Sequence, residues 1–180
     1  MTSQLKVDRI SPANTSEIII DGFSGGISNI HMSSKTGATT YPQGVWSRHV
    51  MNVNHTASTN TNYNVAAGVY KVGVGEGGIY FTNFNCNVYG NSQLWDADSS
   101  VYVNGEGVLY GLGQGTQGGY VDGLSVPSTG LLFLSDGDEV SCYVNGRSTG
   151  ATTLDIKVKD DANPTKATAT WTMFRIGGGS

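Results

Sequence analysis

The residues of this chain that could do chemistry are three histidines, two cysteines and a thin scatter of carboxylates. His31, His49 and His55 lack the H-E-x-x-H spacing of a zinc site and have no cysteines beside them. Gly73-Val-Gly-Glu-Gly-Gly78 spells the G-x-G-x-x-G of a dinucleotide site, but Ile79-Tyr-Phe81 after it reads as a strand. Holding a pyrophosphate needs a helix N-terminus there, so a glycine-rich turn between strands is the expected role. Asp96, Asp98, Asp136, Asp138 and Glu139 carry the oxygens a hard cation needs, without the loop spacing of a calcium motif, and turn or strand-edge roles are expected instead. The chain is therefore expected not to be an enzyme and to hold no cofactor and no metal.

Aromatic side chains are the other resource. Trp46, Tyr70, Tyr80, Phe81, Phe84, Trp95, Tyr110, Tyr120, Phe133, Trp171 and Phe174 could form a carbohydrate platform, although most fall on strand patterns that suit a core or a subunit seam. Tyr80, Phe84, Trp171 and Phe174 are assigned to the core or the contact between copies. Trp95 and Tyr120, beside polar and glycine-rich stretches, are the two expected at the surface for recognition.

These side chains need strands to hold them. In Tyr80-Phe-Thr-Asn-Phe-Asn-Cys-Asn-Val88, Asn83, Asn85 and Asn87 share one face while Tyr80, Phe84, Cys86 and Val88 share the other, one wet and one core. Comparable runs are predicted at 46–53, 63–65, 69–74, 79–89, 100–104, 107–112, 120–126, 129–135, 139–145, 153–159 and 168–176. Turns are predicted at Asn104-Gly105, Asp122-Gly123, Asp136-Gly137 and Asn145-Gly146, where glycine supplies positive φ. Cys86 and Cys142 share a parity with apolar neighbours and are expected as buried thiols, with a disulfide open if their strands adjoin. No stretch shows a 3.6-residue apolar period, so the predicted class is all-β, a two-sheet jelly-roll sandwich.

Residues 1–45 differ from the rest. Apolar bursts at 5–7, 18–20 and 27–30 are each too short to bury a face alone, and neither a heptad nor a glycine at every third position recurs. The predicted organisation is an extended N-terminal arm over 1–45 and a head over 46–180. Leu5, Val7, Ile10, Ile18 and Ile20 are the expected anchoring residues on a neighbouring protein.

Composition narrows the partners. Glycine, at 26 of 180 residues, and a charged fraction of 13% fit many tight turns and few surface charges. With a net charge of -4 and no lysine or arginine cluster, neither nucleic acid nor an anionic membrane is an expected partner. The opening Met1-Thr-Ser-Gln-Leu-Lys-Val-Asp lacks an apolar signal segment, and no later apolar run approaches the roughly 18 residues that cross a bilayer, so synthesis in a cytoplasm is expected.

Gly78-Ile-Tyr-Phe81, Val101-Tyr-Val-Asn-Gly105, Val126-Pro-Ser-Thr-Gly-Leu-Leu-Phe-Leu134, Asp136-Gly-Asp-Glu-Val140 and Trp171-Thr-Met-Phe-Arg-Ile176 follow one another in this order. The series resembles the globular jelly-roll head of complement and tumour-necrosis-factor-like proteins over residues 46–178. Leu5-Lys-Val-Asp-Arg-Ile10, with the Ile-rich strand and Gly-rich spacer after it, is similar to the N-termini of tail-fibre and surface proteins of bacteriophages. Together the resemblances imply a homotrimer on a virion surface. Its expected role is a capsid decoration (cement) protein whose arm docks on the major capsid protein or another virion protein. The alternative is a tail-fibre or receptor-binding tip whose loops around 91–99 and 111–119 contact host surface glycan.

Overall fold

The structure, a computed structural model, describes residues 27–55, 62–90, 94–114, 123–149, 153–156 and 167–178. Its strands are β1 (Ser28–Thr36), β2 (Thr39–Pro42), β3 (Ser47–Arg48), β4 (Val53–Asn54), β5 (Tyr63–Asn64), β6 (Val69–Lys71), β7 (Gly78–Gly90), β8 (Leu94–Val103), β9 (Glu106–Gln114), β10 (Gly123–Leu134), β11 (Glu139–Ser148), β12 (Thr153–Ile156) and β13 (Ala167–Gly178).

The plainest alternation in the sequence, along β7, organises the first sheet. β10 flanks β7 on one side along its whole length, and β13, then β1, then β4 follow on the other. Beyond the end of β13, β12 takes its place beside β7 and carries β2. The second sheet runs β5-β6-β11-β8-β9, with β3 also on β11, and all pairings in both sheets are antiparallel. The inward sets meet between the sheets: Tyr80, Phe84, Cys86 and Val88 of β7 with Trp171 and Met173 of β13 on one side, Val140, Cys142 and Val144 of β11 with Val101 of β8 on the other. Cys86 and Cys142 thus belong to opposite sheets, and both are buried free thiols.

The sheets close at the flank where β9 and β10 meet. A Cβ on Gly111 would stand 1.9 Å from the Pro127 carbonyl oxygen, so only glycine permits this approach. One layer inward, the hydroxyls of Ser99 and Ser128 bond across the gap.

Several expectations are corrected. The strands predicted at 120–126 and 129–135 are one continuous strand within the described residues, β10. Pro127 does not interrupt it, because β10 is an edge strand with β7 as its partner, and an edge tolerates a missing donor. Asn145-Gly146 is no turn but lies inside β11, where the Gly146 carbonyl accepts from Gly44 N–H at 2.9 Å. Residues 94–99, expected in a loop, belong to β8, and 111–114 belong to β9. The run predicted at 46–53 forms only the short β3 and the start of β4. Asn104-Gly105 does turn the chain, with φ of 52° and 86°, as a two-residue hairpin demands, and Gly137 turns it at 85°.

Residues 28–42, placed by composition in the arm, form β1 and β2 of the sandwich. β1 lies between β13 and β4, with buried His31 and Ser33 facing the core. Polar groups at core positions gave this strand no alternation to read. Residues 1–26, with Leu5, Val7, Ile10, Ile18 and Ile20, lie outside the described residues.

Candidate functional site

The residues with chemical potential are occupied by the fold. The glycine-rich loop uses its own N–H groups: Gly73 donates to Glu76 Oε2 at 2.9 Å, and Gly75 and Gly77 donate to the Asp136 carboxylate at 2.7 and 2.8 Å. Those bonds hold the Asp136 carboxyl below its ordinary range. The loop leads into β7, so the donors a phosphate would need are taken and no helix dipole supports them. Asp138 accepts from Asn104 Nδ2 and Ser135 N–H, and Asp96 accepts from Arg147 Nε at 2.9 Å. Among the described residues, no three of His, Cys, Asp and Glu gather where they could hold a metal.

Two histidines are core residues. His31 shares a hydrogen bond with Ser33 Oγ at 2.9 Å, and its ring lies 4.7 Å from Tyr63 and 4.9 Å from Trp171. His49 bonds Tyr41 OH at 2.9 Å through Nδ1. Each keeps one buried ring nitrogen without a partner. Burial pushes His31 down to about 4; burial, aided by the Lys35 charge, pushes His49 down to about 3. Both rings are therefore neutral near pH 7. His55 is exposed and shares a hydrogen bond with the buried Ser34 Oγ at 3.1 Å.

With the interior accounted for, the outward faces remain. On the first sheet, register places Ile79, Phe81, Leu131, Phe133 and Phe174 together at one end. Phe133 is 83% exposed and Leu131 57%, while Phe81 and Phe174 stack with centroids 5.1 Å apart. Toward the other end the face turns to amides and hydroxyls, tied across strands by Thr129 Oγ1 to Asn83 Oδ1 at 2.8 Å and Ser125 Oγ to Asn85 Oδ1 at 2.9 Å. Along β7, β10 and β13, no residue at an outward position of the register carries a charge.

The second sheet carries a different surface. Tyr102 and Tyr143, diagonal neighbours on β8 and β11, stack at 4.0 Å. Trp46 reaches them from the loop before β3, with its ring 6.1 Å from Tyr102 and 5.9 Å from Tyr110 of β9. Arg48 donates from Nε to Tyr143 OH at 3.1 Å and lies over that ring.

Of the residues expected in the core or at the seam, Tyr80, Phe84 and Trp171 are buried core. Phe174 is not: it alternates with Trp171 and Met173 on β13 and therefore turns outward, half-buried against Phe81. Trp95 is exposed, 58%, as expected; Tyr120 lies outside the described residues. Sequence reasoning missed Tyr102, Tyr143, Arg48 and Leu131. The first three come together only through strand register, whereas Leu131 was visible as an alternation partner of Phe133 on one strand.

Two antiparallel sheets with this strand order form a jelly-roll sandwich, a fold shared with complement C1q and tumour-necrosis-factor domains. It is similar to the globular domain of zebrafish complement 1qA protein, with a TM-score of 0.56 and 13% identity over 84% of this chain and 100% of that one. It is also similar to the Eiger TNF of S. frugiperda, at 0.60 and 13% over 84% and 94%, and to murine APRIL, at 0.54 and 10% over 81% and 97%. At such identities the likeness is one of fold. No protein-family model and no curated protein sequence matches the chain.

Proposed function

We propose that this protein is a non-enzymatic assembly module, a jelly-roll head that forms a homotrimer through the outer face of its first sheet. The observation that carries the reading is that face. A chain with 10 basic and 14 acidic residues places none of them at the outward positions of β7, β10 and β13, and leaves Phe133 and Leu131 in water at its apolar end. Exposed apolar patches of this kind mark protein contacts, and a second copy is the partner always present at equal concentration. The jelly-roll likeness supports the same reading.

The setting proposed is a virion surface, with copies decorating a capsid and the N-terminal segment docking on the major capsid protein or another virion protein. Its support is the likeness of Leu5–Ile10 to phage surface proteins. A second reading, a tail-fibre or receptor-binding tip, is favoured by the exposed Trp95.

Sedimentation equilibrium of the wild type and of Phe133→Asp tests the assembly. Three copies for the wild type and one for the variant, with unchanged circular dichroism, are expected; a wild type that stays a single chain at every concentration removes the reading. Counting copies in purified particles tests the setting. A number comparable with the major capsid protein means decoration, a number far below it means the tail, and absence from particles refutes both.

A further inference from the structure

The aromatic cluster on the second sheet covers what should be an open surface. Ser100 and Ser141 face outward by register, paired with Tyr143 and Tyr102, yet Ser100 is 0% exposed and Ser141 is buried. The rings of Trp46, Tyr102, Tyr110 and Tyr143 have closed over them. Tyr110 packs directly over Gly107, where a Cβ would collide with its ring, and its OH donates to the Gly107 carbonyl at 3.2 Å. Tyr110 nevertheless remains 56% exposed. The result is an aromatic surface whose rings already pack on one another before a ligand arrives.

Two residues further along the strands, roughly 7 Å away, the same face turns polar. Asn145 pairs with Asp98, and Arg147 pairs with Asp96. Arg147 is committed to Asp96 through Nε at 2.9 Å. Asn145 Oδ1 is buried without a hydrogen-bond donor, although the residue as a whole is half-exposed. Burial and the neighbouring Asp96 hold the Asp98 carboxyl above its ordinary range, as expected of an acceptor short of donors.

We propose that this face binds a saccharide, with one pyranose C–H face against Trp46 and Tyr110 and a hydroxyl donating to Asp98. A saccharide uses both halves. A cation would use the oxygens and leave the rings idle, and an apolar peptide would cover the rings and bury the acceptors unpaired. The site lies on the sheet opposite the proposed self-association face, so it is open in a single chain and in an assembly alike.

The full chain, its variants checked for unchanged circular dichroism, is tested on an array of defined neutral and acidic oligosaccharides, and the strongest binder is then titrated calorimetrically. Tyr110→Ala and Asp98→Asn should each weaken binding by about tenfold or more, the loss of one stacking or charge-assisted contact. Tyr110→Phe, which keeps the ring, and Trp95→Ala should retain it. Silence across the array, binding indifferent to Tyr110→Ala, or binding that moves only with Trp95→Ala overturns the proposal. Calcium chloride alone should leave the melting temperature unchanged; a calcium stabilisation abolished by Asp98→Asn would make the oxygens a cation site and overturn it too. Since the readout is sugar bound per chain, failure here leaves the sedimentation result untouched.

Discussion

Replacing Trp171 and, separately, Phe174 by alanine tests whether the two faces of β13 do different jobs. Trp171 is buried against His31, Tyr63 and Tyr70, and its Nε1–H donates to Thr82 Oγ1 at 2.9 Å. Emptying a buried tryptophan site costs about 3–5 kcal/mol. The buried Thr82 hydroxyl then loses its donor, at about 1 kcal/mol more. At about 2–4 °C per kcal/mol for a chain of this size, Tm should fall by roughly 10–20 °C.

Phe174 is half-buried and stacks on Phe81, so within one chain its loss amounts to about 1–2 kcal/mol. Any larger effect must come from a second copy covering the ring. The assay is thermal unfolding by circular dichroism at two protein concentrations about a hundredfold apart, a change worth on the order of 3 kcal/mol to an associating protein. The wild type should melt higher at the higher concentration, Trp171→Ala should melt lower at both, and Phe174→Ala should lose most of the concentration dependence. Equal losses for the two variants at both concentrations would refute the division of β13 into a core face and an assembly face. A wild-type Tm that ignores concentration would refute the association itself.

Acid should destabilise the fold through His31 and His49. Their folded pKa values lie below the ordinary 6.5, so the unfolded chain binds more protons below that pH. Stability should fall as pH drops from about 6.5 toward 4, by up to about 1.4 kcal/mol per pH unit for each ring. The slope should be shallower in His31→Gln, and an unchanged slope in that variant contradicts the assignment. Gly111→Ala must push against the Pro127 backbone and should cost about 3 kcal/mol, the upper end of overpacking. Gly113→Ala, whose Cβ would meet its neighbours at 3.3 Å, should cost far less; equal melting of the two variants in chemical denaturant would contradict the close approach. Burial pushes the Cys86 thiol up to about 12 and raises Cys142 as well, so neither should react with an aromatic disulfide reagent at pH 8 until the chain unfolds. Prompt labelling of the native protein would contradict their placement.

What the sequence revealed and concealed follows from how each strand is buried. β7 was legible because one face is asparagine and the other aromatic or aliphatic. β1 was hidden because its core positions are His31 and Ser33, which share a hydrogen bond, so a central strand reads as polar linker. β10 reads as two strands because Pro127 and Gly130 are breakers by type; a strand paired on one side only tolerates the proline, and Gly130 makes room for Leu109. Which face Phe174 takes is not legible in Trp171–Ile176, because five of these six residues are apolar or threonine and only the burial of Trp171 sets the parity. The aromatic surface of the second sheet depends on the pairing of β8, β9 and β11, which no single strand encodes. The Gly73–Gly78 loop shows the reverse: a phosphate-site spelling was read correctly as a turn because the sequence after it is a strand.

The pairing of Ser28 with Arg175 has a mechanical meaning. The chain enters β1 and leaves β13 side by side, on neighbouring antiparallel strands. A pull applied between these two points opens the pair like a zipper, one hydrogen bond after another, and meets little resistance. The same pull applied through residue 28 against the broad face of the sheet loads the bonds of β1 to both β13 and β4 together, in shear. A head tethered from its N-terminal side and gripped across its first sheet, as proposed above, would be loaded in this second way.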